Sequence, residues 1–261
     1  MAVIPPWRRY VAIGDSLTEG IADFDASGEP VGWADRLAQL LADRAAEPVQ
    51  YANLAIRGRL LRPILDEQVA PALALQPDLV SLWGGGNDVL RPDADPDALT
   101  AAIEEAVGRF RGIGADVLIG LGFDAKDSPV ISLTRKRVAV YNMNLVSLAT
   151  RHGAHIVNTW GMRSLHDWRM WHDDRLHLNT LGHARVAQAA LVGLGLEPDS
   201  PDWDEPLPPA PLMTRRERRD WNVVWAREHL APWLGRRIRR TSSGDGRRAK
   251  QPTYREVLPR S

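Results

Sequence analysis

A serine hydroxyl attacks well only where an imidazole takes its proton and a carboxylate fixes that imidazole's tautomer. Ser16 is placed for this work. It lies in Gly14-Asp15-Ser16-Leu17-Thr18-Glu19-Gly20, directly behind the apolar run Tyr10-Val11-Ala12-Ile13. A strand that ends in glycine and turns at once into a helical segment lifts the hydroxyl above the sheet. The carboxyl ends of parallel strands are where such sheets hold ligands. Serine and aspartate also cap turns, so the assignment depends on a base, an orienting carboxylate and oxyanion donors further along.

Seven histidines are present. Asp174-Arg175-Leu176-His177 is the most economical source of a base, because three-residue spacing ahead of a helix can bring the carboxylate under the ring's far nitrogen. His172 lacks a carboxylate three residues before it, and His183 falls inside the last helical pattern as a packing or surface residue. Attack on an acyl carbon puts negative charge on the former carbonyl oxygen, so donors must already point there. Gly58 offers a backbone N–H with no Cβ in the way, Asn87 a side-chain amide, and Ser16 its own N–H. Gly58 could equally be a turn residue and Asn87 a helix cap; what favours the chemical reading is that all follow predicted strands on one edge of the sheet.

Those strands alternate with helical patterns. Trp33, Leu37, Leu40 and Leu41 share a helical face, and Gln50–Ile56 reads as a second strand ending at Arg57-Gly58. Leu60 to Leu75 is helical with Pro71 near its end; Asp78–Trp83 is a third strand, running into Gly84-Gly85-Gly86-Asn87-Asp88. Three glycines there would let backbone approach a ligand. A helix over Asp97–Arg111, a strand over Ala115–Leu121, a helix over Leu133–Thr150 and a strand over His155–Trp160 follow. A last helix begins near Asn179 or Thr180, turning Val186, Ala190, Leu191 and Leu194 inward. The alternation predicts a three-layer α/β sandwich on a mainly parallel sheet of five strands.

With these blocks in order, the chain resembles the SGNH (GDSL-type) hydrolases. Gly14-Asp15-Ser16-Leu17 corresponds to the first signature block, Gly58 after Asn53-Leu54-Ala55 to the second, Gly85-Gly86-Asn87-Asp88 to the third and Asp174-Arg175-Leu176-His177 to the last. The resemblance runs from about residue 9 to 195. It implies a flavodoxin-like fold and a two-step acyl transfer without metal or cofactor, acting on a small-molecule ester. Ser16 forms the acyl-enzyme, His177 shuttles the proton, Asp174 orients it, and Ser16, Gly58 and Asn87 build the oxyanion hole. Asp15 and Asp88 support the loops. An acyltransferase would use the same machinery with an alcohol in place of water.

Other chemistries fail on spacing. The Gly14–Gly20 turn lacks the Gly-Lys-Ser/Thr ending of a P-loop, Gly84-Gly85-Gly86 lacks the dinucleotide pattern, and there is no Gly-x-Ser-x-Gly elbow. The His166–His177 cluster has no His-x-x-x-His on a helix. Cysteine is absent, which removes thiol nucleophiles and disulfides. No signal peptide or membrane-length apolar run is visible, so a soluble cytoplasmic protein is expected.

The formal net charge of +0 hides an asymmetry: residues 1–213 hold 19 basic and 28 acidic side chains, residues 214–261 hold 14 and 5. Residues 1–196 read as the hydrolase domain, 197–213 as an acidic, proline-rich linker, 214–240 as a basic amphipathic helix with Trp221, Val224 and Trp225 on one face, and 241–261 as a disordered basic end. The helix can pack on the acidic body with its arginine stems over apolar surface. It can also lie on an anionic membrane, bringing a lipase-like site to its substrate. Binding to a protein or nucleic acid is the remaining alternative, with no nucleic acid expected.

Overall fold

The structure, a computed structural model, describes residues 4–126, 128, 131–211, 213–232, 235 and 242–260. Strand β1 (Arg9–Gly14) lies in the middle of the sheet and is buried from Tyr10 onward. Its neighbours are β2 (Val49–Asn53) and β3 (Leu79–Trp83); β4 (Asp116–Gly120) and β5 (His155–Val157) extend the sheet beyond β3, all of them parallel. A sixth strand, β6 (Gln251–Val257), runs antiparallel to β2 on the opposite edge, giving the order β5-β4-β3-β1-β2-β6.

Strand alternation feeds two apolar layers. Val11, Ile13, Val80, Leu82, Val117 and Ile119 point to one side, where they meet α3 (Leu61–Ala74), α5 (Pro96–Gly112) and α6 (Arg135–His152) through side chains such as Phe110, Ile103 and Leu145. Tyr10, Ala12, Leu79 and Leu118 point to the other, against α2 (Trp33–Ala45) and α7 (Thr180–Gly193), with Trp33, Leu37, Val186 and Leu191 in the core. Two short helices, α1 (Ser16–Glu19) and α4 (Gly86–Val89), follow β1 and β3 directly. The strand order reverses at β1, with β2 added on one side and β3 on the other, so β1 and β3 both open on the crevice where doubly wound sheets bind ligands.

The helices form close to where their patterns place them, but two strands are shorter than expected. β2 stops at Asn53, whose side-chain amide donates to the Thr18 carbonyl (2.8 Å), leaving Leu54–Arg57 to bend toward the site. β5 stops at Val157, and Asn158 caps a 3-10 turn over Thr159–Gly161.

Larger differences lie beyond α7. Residues 197–211 have no helix or strand, yet they are tied to the domain: Asp199 meets Arg44 (2.8 Å), and Asp204 accepts from Ser164 Oγ (2.7 Å). Trp203 and Leu207 pack on the core. The predicted basic helix begins as α8 (Arg215–Trp225), capped by Thr214, and continues as a π-turn over Ala226–Leu230. Residues 233, 234 and 236–240 of that prediction lie outside the described residues. Nor is the end of the chain a disordered tail. In β6, Thr253 and Tyr254 favour extended backbone, Val257 is buried against the sheet, and Lys250 forms an ion pair with buried Asp35 (2.7 Å). The charged residues that suggested disorder are the ones that fasten the segment down.

Candidate active site

Gly14 has φ +156°, and a Cβ there would lie 2.4 Å from the Trp83 carbonyl. Glycine therefore lets β1 turn sharply beside β3. Its N–H and carbonyl are both bound by the buried Gln68 amide, at 2.8 and 2.9 Å. Asp15 caps α1 by accepting from the Leu17 N–H (3.2 Å), which fixes Ser16 as the first helical residue.

Ser16 Oγ stands 3.1 Å from His177 Nε2, and His177 Nδ1 stands 2.7 Å from Asp174 Oδ2. The other carboxylate oxygen of Asp174 accepts the N–H groups of Leu176 (2.9 Å) and His177 (3.0 Å). Burial opposes ionisation of Asp174, but the His177 contact and these two N–H donors outweigh it and hold the carboxyl well below the usual carboxylate range. A permanently ionised Asp174 favours the proton on Nδ1, leaving Nε2 to accept from Ser16. His172 is near the same carboxylate, its Nδ1 accepting the Asp174 N–H at 3.3 Å. His183 is fully buried: its Nδ1 accepts the Trp33 N–H (3.2 Å), and burial pushes its pKa down to about 3. It is a neutral core histidine joining α2 to α7.

Gly58 takes φ +70°, a conformation that favours glycine, and the space a Cβ would fill is taken by Ser242 Oγ, 2.4 Å from that position. The loop carrying it is held by a pair that leaves no local pattern in the sequence. Glu19, buried at the end of α1, accepts the Arg57 N–H (2.6 Å) and its guanidinium (2.5 and 2.9 Å). Asn87 reaches the site, but its amide nitrogen donates to Asp15 Oδ2 (3.2 Å) and to the Arg59 carbonyl (3.0 Å). Asp88 accepts the Leu61 N–H (2.9 Å), tying α4 to α3. Burial raises the carboxyls of both Asp88 and Asp15, the latter to about 6. Of the three glycines before Asn87, Gly86 borders the cavity with no atom near its missing Cβ, whereas Gly85 makes room for Tyr141, whose hydroxyl donates to the Gly84 carbonyl (3.0 Å).

The serine opens on a cavity of about 170 Å³ walled by Trp83, Phe123, Trp168, Trp171, Ile131 and Val138. Its aromatic wall is a connected series of rings: Trp83 lies 5.7 Å from Phe123 and meets Trp33 behind it edge-on at 5.2 Å, and Phe123 meets Trp171 edge-on at 5.1 Å between ring centres. Gly120 admits it, since a Cβ there would come within 2.0 Å of the Trp83 ring. None of these aromatic residues forms a short motif, so only the assembled fold gathers them.

A doubly wound sheet with serine, histidine and aspartate in one hydrogen-bonded line beside its switch point defines a hydrolase of the three-layer α/β kind. The chain belongs to the GDSL-like Lipase/Acylhydrolase family, whose model matches residues 12–185. It is a serine-dependent hydrolase of carboxylic esters. Among solved structures it is similar to LAE5, an alpha/beta hydrolase enzyme from the metagenome of Lake Arreo, at 24% identity and TM-score 0.60 over 72% of this chain and 95% of that one. TesA is similar at 21% identity and TM-score 0.60, over 71% and 97%. Axe2, an acetylxylan esterase from Geobacillus stearothermophilus, is similar at 21% and 0.62, over 76% and 98%. No curated protein matches. Among the described residues, no helix is long and apolar enough to cross a membrane.

Proposed function

We propose that Ser16 is the nucleophile of a two-step ester hydrolysis. The reading rests on the line Ser16 Oγ, His177, Asp174, with contacts of 3.1 and 2.7 Å, at the mouth of an aromatic cavity. In acylation the Ser16 oxygen bonds to the acyl carbon as its proton passes to His177 Nε2; His177 then gives that proton to the departing alcohol. In deacylation water attacks the same carbon, His177 takes its proton, and Ser16 leaves with it. The imidazolium formed twice per cycle faces the Asp174 carboxylate, which stabilises it.

The oxyanion is received by the N–H groups of Ser16 and Gly58, with Asn87 as third donor. Both hydrogens of the Asn87 amide face protein acceptors in this structure, so its role requires the long contact to Asp15 to be shared with the substrate oxygen. Asp15 and Asp88 support the loops. The cavity volume is close to the ~150 Å³ of an engineered apolar cavity that takes up benzene. An acyl group of that order, a short aliphatic or single-ring acid, is therefore the substrate class. Membrane contact by the C-terminal helix would use its exposed arginines with Trp221, Val223 and Val224, whereas the Trp225 ring is partly covered and faces Arg175.

The test is nitrophenol release from acetyl, butyryl, benzoyl and dodecanoyl esters by the parent chain and by Ser16→Ala. Butyryl and benzoyl esters should be best, with Ser16→Ala lowering kcat by about 10⁴-fold or more. Equal turnover by Ser16→Ala would overturn the assignment, and preference for the dodecanoyl ester would overturn the substrate class. Adding a primary alcohol and separating the products reports whether an acceptor other than water takes the acyl group.

A further inference from the structure

The family match ends at residue 185, but the chain beyond it touches the catalytic line from two directions. Above the acid–base loop lies α8. Trp225 Nε1 donates to the backbone carbonyl of Asp174 at 2.9 Å. Between Asp174 and His177, Arg175 adopts φ +56°, in the left-handed region that is uncommon for a residue with a side chain. That conformation sends its side chain under α8. The guanidinium carbon lies 3.5 Å from the ring centre of Trp221, 4.7 Å from Trp225 and 5.9 Å from Trp168, and Nη1 donates to Asn222 Oδ1 at 2.8 Å. Arg175 is 6% exposed and forms no ion pair among the described residues. A buried cation without a carboxylate partner is costly, and here aromatic faces offset that cost. Four residues beyond Trp225, His229 of the π-turn meets the His172 ring edge-on at 6.5 Å.

On the other side, the turn that precedes β6 covers the oxyanion loop. Ser242 Oγ donates to the Gly58 carbonyl at 3.0 Å, and Gly244 packs so tightly on the Arg57 carbonyl that a Cβ would lie 2.0 Å from it. Both peptides flanking the Gly58 Cα are thus held by residues 242–244. The turn is itself anchored, through the pairing of β6 with β2 and through Lys250, which reaches Asp35 and the Pro30 carbonyl (2.8 Å).

We infer that the C-terminal extension is a working part of the active site, in which Trp225 and Arg175 position the Asp174–His177 loop and Ser242 positions Gly58. These are positioning residues, acting through Asp174 and Gly58 and not on the substrate. The distances explain why this assignment differs from a general stabilising role. The indole N–H binds the backbone of Asp174, whose carboxylate contacts His177, and the serine hydroxyl binds the carbonyl of Gly58, the glycine whose N–H is assigned above to the oxyanion. Catalysis is sensitive to misplacements of a fraction of an ångström in such groups.

The inference rests on the assignment of Ser16, His177 and Asp174 above, so its test carries Ser16→Ala as a control. In the full-length chain, Trp225→Phe keeps an aromatic ring beside Arg175 and removes the N–H, while Ser242→Ala removes the hydroxyl. Each should lower kcat on the butyryl ester about three- to tenfold with KM within twofold, measured well below each variant's melting temperature. Ser242→Thr, which keeps a donor, should recover most of the loss. In Trp225→Phe the far-downfield proton signal of the His177–Asp174 hydrogen bond should shift or broaden. Should Trp225→Phe not fold, Arg175→Lys probes the same contact from the loop side, keeping the charge and losing the planar stack, with the same fall in kcat expected. A kcat within twofold of the parent in the folded variants, whatever their melting temperatures, overturns the inference. If Ser16→Ala itself retains turnover, the catalytic assignment fails instead, and the two failures are distinguishable.

Discussion

Asp174 does two things with one carboxylate: Oδ1 receives two backbone N–H groups and Oδ2 faces the His177 ring. Asp174→Asn keeps the size but presents either a carbonyl oxygen or an NH₂ to Nδ1, neither of which stabilises an imidazolium. We expect kcat to fall by about 10⁴-fold with little change in KM, as expected when the wrong tautomer is held. Asn87→Ala should fall by about 10²- to 10³-fold if the amide is shared with the oxyanion. A change within threefold would leave the hole to the Ser16 and Gly58 N–H groups. Both numbers come from steady-state kinetics on the butyryl ester. The meeting of Ser16, His177 and Asp174 was legible in the sequence because a hydroxyl just past a strand and an Asp-x-x-His just before a helix are local patterns, while the oxyanion roles of Gly58 and Asn87 belong to the proposal. Arg57 and Glu19 were not legible, since a buried ion pair 38 residues apart leaves no local pattern. The direction of the Asn87 amide was equally hidden, being decided by where Asp15 and the Arg59 carbonyl sit.

At the scale of elements, short apolar runs alternating with helical patterns revealed the five parallel strands and the helices between them, because each strand buries one face in each of the two apolar layers. They missed β6, an edge strand in which only Val257 is buried and Thr253, Arg255 and Glu256 are exposed. Edge strands need little apolar sequence when charged groups fasten them. Lys250 supplies that fastening: its side chain is 11% exposed and that of Asp35 6%. Lys250→Met should therefore cost about 3 kcal/mol by leaving Asp35 buried without its closest partner. That corresponds to a fall of roughly 6–12 °C in melting temperature for a domain of this size, read by calorimetry. Loss of less than 2 °C would mean that Arg255, 3.7 Å from Asp35, suffices.

For the whole molecule, acid stability is set by buried titratable groups of opposing sign. His183 has its pKa lowered by burial from 6.5 to about 3, so the unfolded chain binds a proton that the folded chain refuses. This makes stability fall as pH drops from about 6.5 toward 3, by at most about 1.4 kcal/mol per pH unit. Asp174 acts in the same direction at lower pH, its stabilisation being lost as the carboxylate is protonated below its unfolded value near 4. Asp15 opposes them. With its pKa raised to about 6 by burial, it weakens the fold as pH rises from about 4 to 6. His183→Asn, which retains an acceptor for the Trp33 N–H, should flatten the stability curve between pH 6.5 and 4, measured by urea unfolding at each pH. An unchanged slope would show that His183 is not the group responsible. The charge asymmetry along the chain also acts at this scale. The basic C-terminal segment is laid on an acidic body through Lys250, Arg255 and Arg260, the last pairing with Asp43 at 2.6 Å.

Every step proposed for this site passes through a covalent bond to Ser16, and the most direct test is to trap it. The chain is mixed with nitrophenyl butyrate, quenched in acid within a turnover, digested and weighed by mass spectrometry. One butyryl group is expected on the peptide that contains Ser16, and none in Ser16→Ala. Butyryl on a different residue, or full turnover by Ser16→Ala with no adduct, would contradict it.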